Sequence, residues 1–268
     1  MEEFLKLANN FNYRYNKNHE KYWQNKKIVL EVVKIYSCYL YYASKELRND
    51  KEIVLEAVKN NGMALKFALF ELRNNKEIVL EAIKNDGSLE YASKELRNDK
   101  EIVLEAVKNY GNALEYASNE LQNDREIVLE AIKNNGRALE YASKELQNDR
   151  EIVLKSVKTY GTALHYASKQ LQNDKDIVLE AIKVYGKSIQ FASNELKNDR
   201  ELILKAVKIN GCLFNYVSEK LQNDKRVIMI ALKNIRYIDY INFKRTNDIQ
   251  ESYIYHYDKS FNQILKCY

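Results

Sequence analysis

The sequence predicts an all-α fold, an α-solenoid of about nine 25-residue helix-turn-helix repeats with degenerate terminal caps. Every glycine of the chain falls in one slot of a repeating unit, 24 or 25 residues after the one before. An Asn-Asp pair, first seen at residues 49–50, recurs at the same interval, with Asn74-Asn75 as the one variant. A fixed period of this length is typical of stacked arrays in which each repeat buries its apolar face against its neighbours. The glycines are Gly62, Gly87, Gly111, Gly136, Gly161, Gly186 and Gly211.

The first helix of each repeat is predicted by the residues at its two ends. In the repeat that spans residues 50–74, Asp50 is a suitable N-cap because its carboxylate can accept from the free N–H groups of the first turn. Glu52 lies in the first turn and Lys59 in the last, where the helix dipole favours those charges. We expect Gly62 to be the left-handed residue that ends this helix.

A second helix is predicted by apolar residues at helical spacing. Ala64, Leu65, Ala68 and Leu72 share one face of such a helix. Two helices of nine or ten residues with two tight turns would account for the whole period. Asn74 and its equivalents are then expected to take the left-handed conformation that ends the second helix, and the next residue caps the following one.

An aromatic side chain precedes the small residue of this second helix. Phe67 stands beside Ala68, which predicts packing of a large residue against a small one between neighbouring hairpins. An aromatic ladder for ligand stacking is the alternative interpretation. The equivalents of Phe67 are Tyr42, Tyr91, Tyr116, Tyr141, Tyr166, Phe191 and Tyr216.

A leucine-rich repeat is the competing architecture at this period. It would require a short strand with alternating apolar residues, whereas residues 53–58 have helical spacing and are flanked by helix caps. The chain contains no proline, so nothing interrupts the predicted helices. We therefore favour the helical repeat.

Departures from the repeat divide the chain into three parts. Residues 1–25 are predicted to be an N-terminal cap and linker, residues 26–236 the tandem repeats, and residues 237–268 a degenerate C-terminal repeat and cap. Ser37 replaces glycine in the first copy and Arg236 replaces it in the last. Atypical terminal units are expected where the apolar core must be covered.

Composition favours an intracellular, cytoplasmic protein without a membrane span. Hydrophobic residues make up 46% of the chain, but no run approaches the roughly 18 apolar residues that a span requires. The first residues lack the apolar run of a signal peptide. Three cysteines, an odd number, indicate a reducing compartment. Cys38 and Cys212 share one repeat slot and are best explained as small apolar residues.

No catalytic, cofactor or metal motif stands out. Every glycine occupies the repeat slot, so no glycine-rich phosphate loop or dinucleotide fingerprint is available. His19, His165 and His256 are isolated, and His165 falls in a variable slot that we expect to be exposed. We predict a non-catalytic protein with no cofactor and no metal.

Lysine fills the same slot in the last turn of the first helix in all nine copies. The helix dipole and a glutamate three residues earlier explain this row. The alternative is nucleic-acid (RNA) binding by the row together with the ends of the chain, which carry net charges of +3 (residues 1–27) and +4 (residues 220–268). Interleaved glutamates make this alternative the less favoured one. The row is Lys34, Lys59, Lys84, Lys108, Lys133, Lys158, Lys183, Lys208 and Lys233.

The slot before the glycine varies and is the candidate binding surface. Tyrosine occupies it at Tyr36, Tyr110, Tyr160 and Tyr185. Tyrosine is enriched among the residues that dominate interface energies, so these four side chains are the predicted contacts for a protein partner. Local packing on the turn is the alternative explanation.

The repeat also resembles a known family. The stretch from Leu96 to Gly111, followed by Asn112-Ala-Leu-Glu-Tyr-Ala-Ser118, is similar to a helical repeat family catalogued as domain of unknown function 4116, over roughly residues 26–235. The resemblance implies a relative of tandem-repeat proteins from large DNA viruses of protists, amoebae and some intracellular bacteria, which for a virus means the host cell. It implies no activity and no catalytic residues.

Overall fold

The computed structural model of the protein describes residues 20–234. This part of the chain consists of helices and the turns between them, and it contains no strand. The described residues group into two compact units, residues 20–134 (unit 1) and 135–234 (unit 2). Within each unit the long helix of one repeat packs against the long helix of the next. The predicted all-α tandem-repeat fold class is therefore confirmed.

The long α-helices recur at the predicted period, and only these are numbered. In unit 1 they are α1 (Lys26–Ile35), α2 (Lys51–Asn60), α3 (Lys76–Lys84), α4 (Lys100–Asn109) and α5 (Arg125–Asn134). In unit 2 they are α6 (Arg150–Thr159), α7 (Lys175–Val184), α8 (Arg200–Ile209) and α9 (Lys225–Lys233). A short helix, Glu20–Trp23, precedes α1.

The predicted N-caps are confirmed. Asp50 Oδ1 accepts from the backbone N–H groups of Glu52 at 3.1 Å and Ile53 at 3.2 Å. Such a cap contributes about 1 kcal/mol to helix stability. The face of α2 that follows is buried completely, with Ile53, Val54 and Ala57 all at 0% exposure. Burial of this stripe against the neighbouring repeats holds the long helices in place.

The second helix is not the continuous α-helix that we predicted. Residues 62–67 form a 3₁₀ helix, Ala68 and Leu69 are extended, and a short helical turn follows at Phe70–Arg73. The break allows the N–H of Leu69 to donate to the carbonyl of Arg48 in the preceding repeat, at 3.1 Å. A continuous helix would use that N–H within itself, so the bond between repeats replaces it.

The same division recurs in each unit. The 3₁₀ segments of unit 1 are Ser37–Tyr42, Gly62–Phe67, Leu89–Tyr91 and Gly111–Tyr116, each followed by a helical turn at Leu47–Asn49, Phe70–Arg73, Leu96–Asn98 or Asn119–Gln122. Those of unit 2 are Gly136–Tyr141, Gly161–His165, Gly186–Phe191 and Gly211–Tyr216, followed by turns at Leu146–Asn148, Leu171–Asn173, Asn194–Lys197 and Glu219–Gln222.

The glycines are required for close approach, and the prediction that they are left-handed is wrong. No glycine in the described residues has a positive φ. A Cβ on Gly161 would lie 2.6 Å from the backbone oxygen of Ala181, in the long helix of the next repeat. The prediction for Asn74 is also wrong, because its φ is −100°. Among residues 20–234 the left-handed conformation is taken by Asp86, with a φ of 63°, whose glycine is followed by the one interval of 24 residues.

Phe67 and its equivalents are half-buried, while the alanines that follow them are buried. Phe67 contacts the ring of Tyr41 at 5.5 Å between centroids. His165 is exposed, as predicted, and its ring lies 4.8 Å from that of Phe191. These rings therefore contribute to packing between successive repeats within each unit.

The terminal predictions fall mostly outside the described residues. Residues 1–19 and 235–268, which include Arg236 and the predicted C-terminal cap, are not described. Ser37, which takes the glycine slot of the first copy, is buried and begins a 3₁₀ helix. The proposed division at residues 25 and 236 stays a prediction.

Candidate binding surface

The predicted tyrosines lie where each long helix ends and the 3₁₀ helix begins. We call this part of a unit its glycine-turn edge. In each copy it contains the lysine of the lysine row, the next residue, the variable slot and the glycine or its replacement. In unit 1 it comprises residues 34–37, 59–62, 84–87 and 108–111; in unit 2 it comprises residues 158–161, 183–186 and 208–211.

Close backbone packing turns the variable slot outward. In unit 1 the N–H of Gly62 donates to the carbonyl of Asn85 in the next repeat at 2.7 Å. In unit 2 a Cβ on Gly161 would approach the backbone nitrogen of Tyr185 to 3.0 Å. Because the glycine sits against the next repeat, the residue before it lies on the outer rim.

In unit 2 the predicted tyrosines are free surface residues. Tyr160 is 38% exposed and Tyr185 is 46% exposed. Their hydroxyls have no hydrogen-bond partner among residues 20–234. Both side chains therefore present a large apolar ring and an available hydroxyl to a ligand.

In unit 1 the predicted tyrosines are more constrained. Tyr110 is 54% exposed, but its hydroxyl donates to Asp86 Oδ1 at 3.2 Å, and this bond raises the pKa of Tyr110. Tyr36 is half-buried, and its ring lies 5.6 Å from that of Tyr39, which stacks on Trp23. Tyr36 thus belongs to an aromatic cluster at the first repeat, which is the packing role that we held open for this slot.

An asparagine two residues before the glycine makes the edge of unit 1 polar. Asn60 Nδ2 donates to the carbonyl of Lys34 at 2.5 Å, and Asn109 Nδ2 donates to that of Ile83 at 3.1 Å. Each amide therefore caps the C-terminal end of the preceding long helix. The first copy differs, since Ile35 occupies this slot and is 54% exposed.

In unit 2 the ends of α7 and α8 carry apolar residues in this slot, while α6 ends in Thr159. Val184 is 45% exposed and Ile209 is 44% exposed. Together with Tyr160 and Tyr185 they place four large apolar side chains on the edge of three successive repeats. Sequence reasoning found the two tyrosines and missed Val184 and Ile209. The signal was present in the sequence, because asparagine fills the same slot at the ends of α2, α4 and α5.

The lysine row is paired with glutamate in several copies, as its spacing predicted. Lys59 Nζ lies 2.9 Å from Glu56 Oε1, and this bond raises the pKa of Lys59. In unit 2, Lys183 pairs in the same way with Glu180 at 2.5 Å.

Two copies in unit 2 carry lysine in place of that glutamate. Lysine replaces it at Lys155, which instead pairs with Glu151 at 2.8 Å, one turn towards the helix start. The same exchange occurs at Lys205, which pairs with Glu201 at 2.8 Å. The row residues of these copies, Lys158 and Lys208, have no ion pair within the described part of the chain.

Sequence reasoning also missed a charged row at the starts of the long helices. Lys76 Nζ lies 2.8 Å from both Asp99 Oδ2 and Glu101 Oε2, so the first residue of one helix bridges to the cap of the next. In unit 2, Arg200 pairs with Asp224 at 2.7 Å and lowers the pKa of that carboxyl. A basic residue after every cap, about one period before the next aspartate, was the available signal. These charges are engaged within the fold.

Within residues 20–234, no helix is long and apolar enough to cross a membrane. No group of three or more His, Cys, Asp or Glu side chains there could hold a metal ion. Cys38 is exposed and Cys212 is half-buried, and neither forms a disulfide bond within the described part of the chain.

Comparison with known proteins identifies the repeat. The model of a family described as "Domain of unknown function (DUF4116)" matches six successive segments that together cover most of the chain. The segments are residues 25–73, 52–97, 75–122, 99–147, 149–197 and 199–244. No curated protein and no solved structure matches the chain significantly.

Proposed function

Since the chain belongs to the family described as domain of unknown function (DUF4116), a description that names no activity, we propose from its surface that it is a non-catalytic scaffold that binds a protein partner. The observation that carries this proposal is the exposed apolar edge of unit 2. Its side chains lie at fixed intervals on helices whose opposite faces are buried. Large exposed apolar groups on a rigid repeat support a binding role.

Tyr160 and Tyr185 are the central contacts of the proposal. A tyrosine ring offers a large area at a low cost in conformational entropy, and its hydroxyl adds a directional hydrogen bond. Tyr110 is a secondary candidate because its hydroxyl is already bound to Asp86. Tyr36 is assigned to packing.

The non-catalytic part of the proposal rests on how the charged side chains are used. Asp50 and its equivalents cap helices and pair with basic residues of the preceding repeat. His165 is exposed and packs edgewise on Tyr166, with ring centroids 5.2 Å apart. These interactions give the capping aspartates and His165 a role in the fold itself.

Affinity capture with the tagged full chain tests this function. A protein partner retained by the natural chain should be lost, or reduced at least about tenfold, with Tyr160→Ala/Tyr185→Ala, since interface hot spots cost 2 kcal/mol or more. The matched control is Tyr41→Ala/Phe70→Ala, which removes two aromatic residues that are 58% and 54% exposed away from the edge. Equal retention by all three proteins would remove the edge as the binding surface.

Nucleic-acid binding by the lysine row is the alternative function. The pairing of Lys59 and Lys183 with glutamate disfavours it, because paired charges attract phosphates weakly. We expect no binding of a 20-nucleotide single-stranded RNA near physiological ionic strength in fluorescence anisotropy. Submicromolar binding that weakens several-fold when the salt is doubled would replace the scaffold proposal with this one.

A further inference from the structure

We infer that the glycine-turn edge of unit 2 binds an acidic polypeptide segment that also carries apolar side chains. This inference rests on the proposed scaffold function and adds the chemical class of the partner. It is supported by two features of residues 158–161, 183–186 and 208–211: an exposed apolar strip and an excess of positive charge beside it.

The apolar strip is continuous from one repeat to the next. A Cβ on Gly161 would lie 3.0 Å from the backbone nitrogen of Tyr185, and one on Gly186 would lie 3.3 Å from the side chain of Asn210. The edges of α6, α7 and α8 therefore touch. The strip consists of Tyr160, Val184, Tyr185 and Ile209, which are 38–46% exposed.

The positive charge comes from the exchange of glutamate for lysine. Counting Lys and Arg against Asp and Glu, α6 and α8 each carry a net charge of +2, whereas α2 to α5 each carry 0. Lys158 and Lys208 have no ion pair among the described residues, and they lie within two residues of Tyr160 and Ile209. Two free ammonium groups thus flank the strip.

The combination favours a peptide over a polyanion. Aliphatic side chains such as Val184 and Ile209 neither stack on bases nor bond to phosphates, but they pack well against apolar side chains. Lys183, between the two free lysines, is neutralised by Glu180, so no continuous track of cations is available. Carboxylates at the rim and apolar groups at the centre complement this surface.

The probe is a phage-displayed library of random 16-residue peptides, selected on the immobilised full chain. We expect the enriched peptides to combine several Asp or Glu residues with Leu, Ile, Phe or Trp. Enrichment of neutral or basic peptides would overturn the charge part of the inference. No enrichment above a bare support would overturn the inference as a whole.

The chain supplies its own substitutions for the second step. Val184→Asn/Ile209→Asn installs the asparagine that α2, α4 and α5 already carry, and Lys155→Glu/Lys205→Glu installs their glutamate. Each pair should leave helicity and the unfolding temperature nearly unchanged. We expect each pair to raise the dissociation constant of an enriched peptide at least tenfold, as measured by fluorescence anisotropy. The control, Asn60→Val/Asn109→Val in unit 1, should leave that constant within about twofold.

The two substitution pairs separate failure of this inference from failure of the proposed function. Loss with the asparagine pair but not with the glutamate pair would keep a protein-binding edge and refute the acidic partner. Retention by both pairs would refute this inference, while the proposed protein-binding function would still be decided by Tyr160→Ala/Tyr185→Ala. The chain could bind phosphatidylserine vesicles or single-stranded RNA but not the acidic peptides. If the glutamate pair abolished that binding, the edge would be assigned to another ligand and the inference would be overturned. Self-association in light scattering that the asparagine pair abolishes would overturn it as well.

Discussion

The glycine-turn edges of unit 1 and unit 2 are built on the same backbone and differ in what they present. In α2, α4 and α5 of unit 1 each long helix ends in asparagine, and at Asn60 and Asn109 the amide caps the preceding helix. In unit 2 the equivalent positions of α7 and α8 are Val184 and Ile209, which are exposed, while α6 ends in Thr159. The polar edge satisfies its own hydrogen bonds, whereas the apolar edge leaves surface available to another molecule.

This difference shows that the buried and exposed slots of the repeat are independent. The stripe that begins with Ile53 in α2 and with Ile152 in α6 is 0% exposed in both units. The edge a few residues later has changed from polar to apolar without altering the helix. Core residues therefore set the fold, and the edge is free to specify binding.

The largest expected effect tests whether the two cores are equivalent. Ile53→Ala and Ile152→Ala each remove a fully buried side chain, so each should lower the free energy of unfolding by about 2–5 kcal/mol. Urea unfolding followed by circular dichroism measures this. A cost of less than 1 kcal/mol for one of them would show that the two units are packed differently.

A smaller effect is expected where the glycine approaches backbone. A Cβ at Gly161 would meet the oxygen of Ala181 at 2.6 Å, so Gly161→Ala should cost about 1–3 kcal/mol through overpacking. At Gly186 the nearest atom belongs to the Leu213 side chain, at 3.0 Å, which can move. Gly186→Ala should cost less than Gly161→Ala in the same unfolding experiment. The reverse order would contradict the close-approach role of the slot.

The helix caps predict a pH dependence. Lys175, with the backbone N–H of Leu202, holds the pKa of Asp199 below its ordinary value. Its charged form is therefore favoured in the folded state, and its contribution is present above about pH 4 and is lost as the pH falls below that. Asp199→Ala should cost about 1 kcal/mol at pH 7 and less at pH 3.

Unit 1 supplies the control for this cap. Asn75 caps α3 through Oδ1, which accepts from the N–H of Ile78 at 3.2 Å. Asp199→Asn should therefore keep most of the cap and lose the pH dependence that Asp199 contributes. Identical pH profiles for the natural chain and Asp199→Asn would exclude a role for the charge.

The smallest effect on stability is expected from a reciprocal exchange of the edge residues between the two units. Asn109→Val removes the bond to the carbonyl of Ile83 and should cost about 1 kcal/mol. Val184→Asn introduces the same amide in unit 2 and should change stability by less than about 0.5 kcal/mol. Thermal unfolding of both variants measures the difference. A large loss with Val184→Asn would mean that Val184 has a structural role that its 45% exposure does not suggest.

The first half of each repeat could be predicted from sequence because its signals are local. Caps such as Asp50 act within three residues, and the apolar stripe follows from helical spacing. The second half could not be, because its break at Leu69 depends on a bond to Arg48 in another repeat. The glycines were misread for the same reason: they are needed where the next repeat comes close, not where a helix turns left-handed.

The candidate surface was half predictable. Tyr160 and Tyr185 stood out because their slot varies beside a fixed glycine. Val184 and Ile209 did not stand out, because the difference they make is visible only beside the hydrogen bond that the asparagine side chain donates to the preceding helix in unit 1. That bond joins residues 26 positions apart, and only the structure shows that they meet.

Amide hydrogen exchange of the full chain, with and without an enriched acidic peptide, tests most directly whether the binding edge belongs to unit 2. We predict slower exchange at residues 158–161, 183–186 and 208–211 on addition of the peptide, and no change at residues 59–62 and 108–111. Protection of the unit 1 segments, or protection that persists in Val184→Asn/Ile209→Asn, would contradict the account.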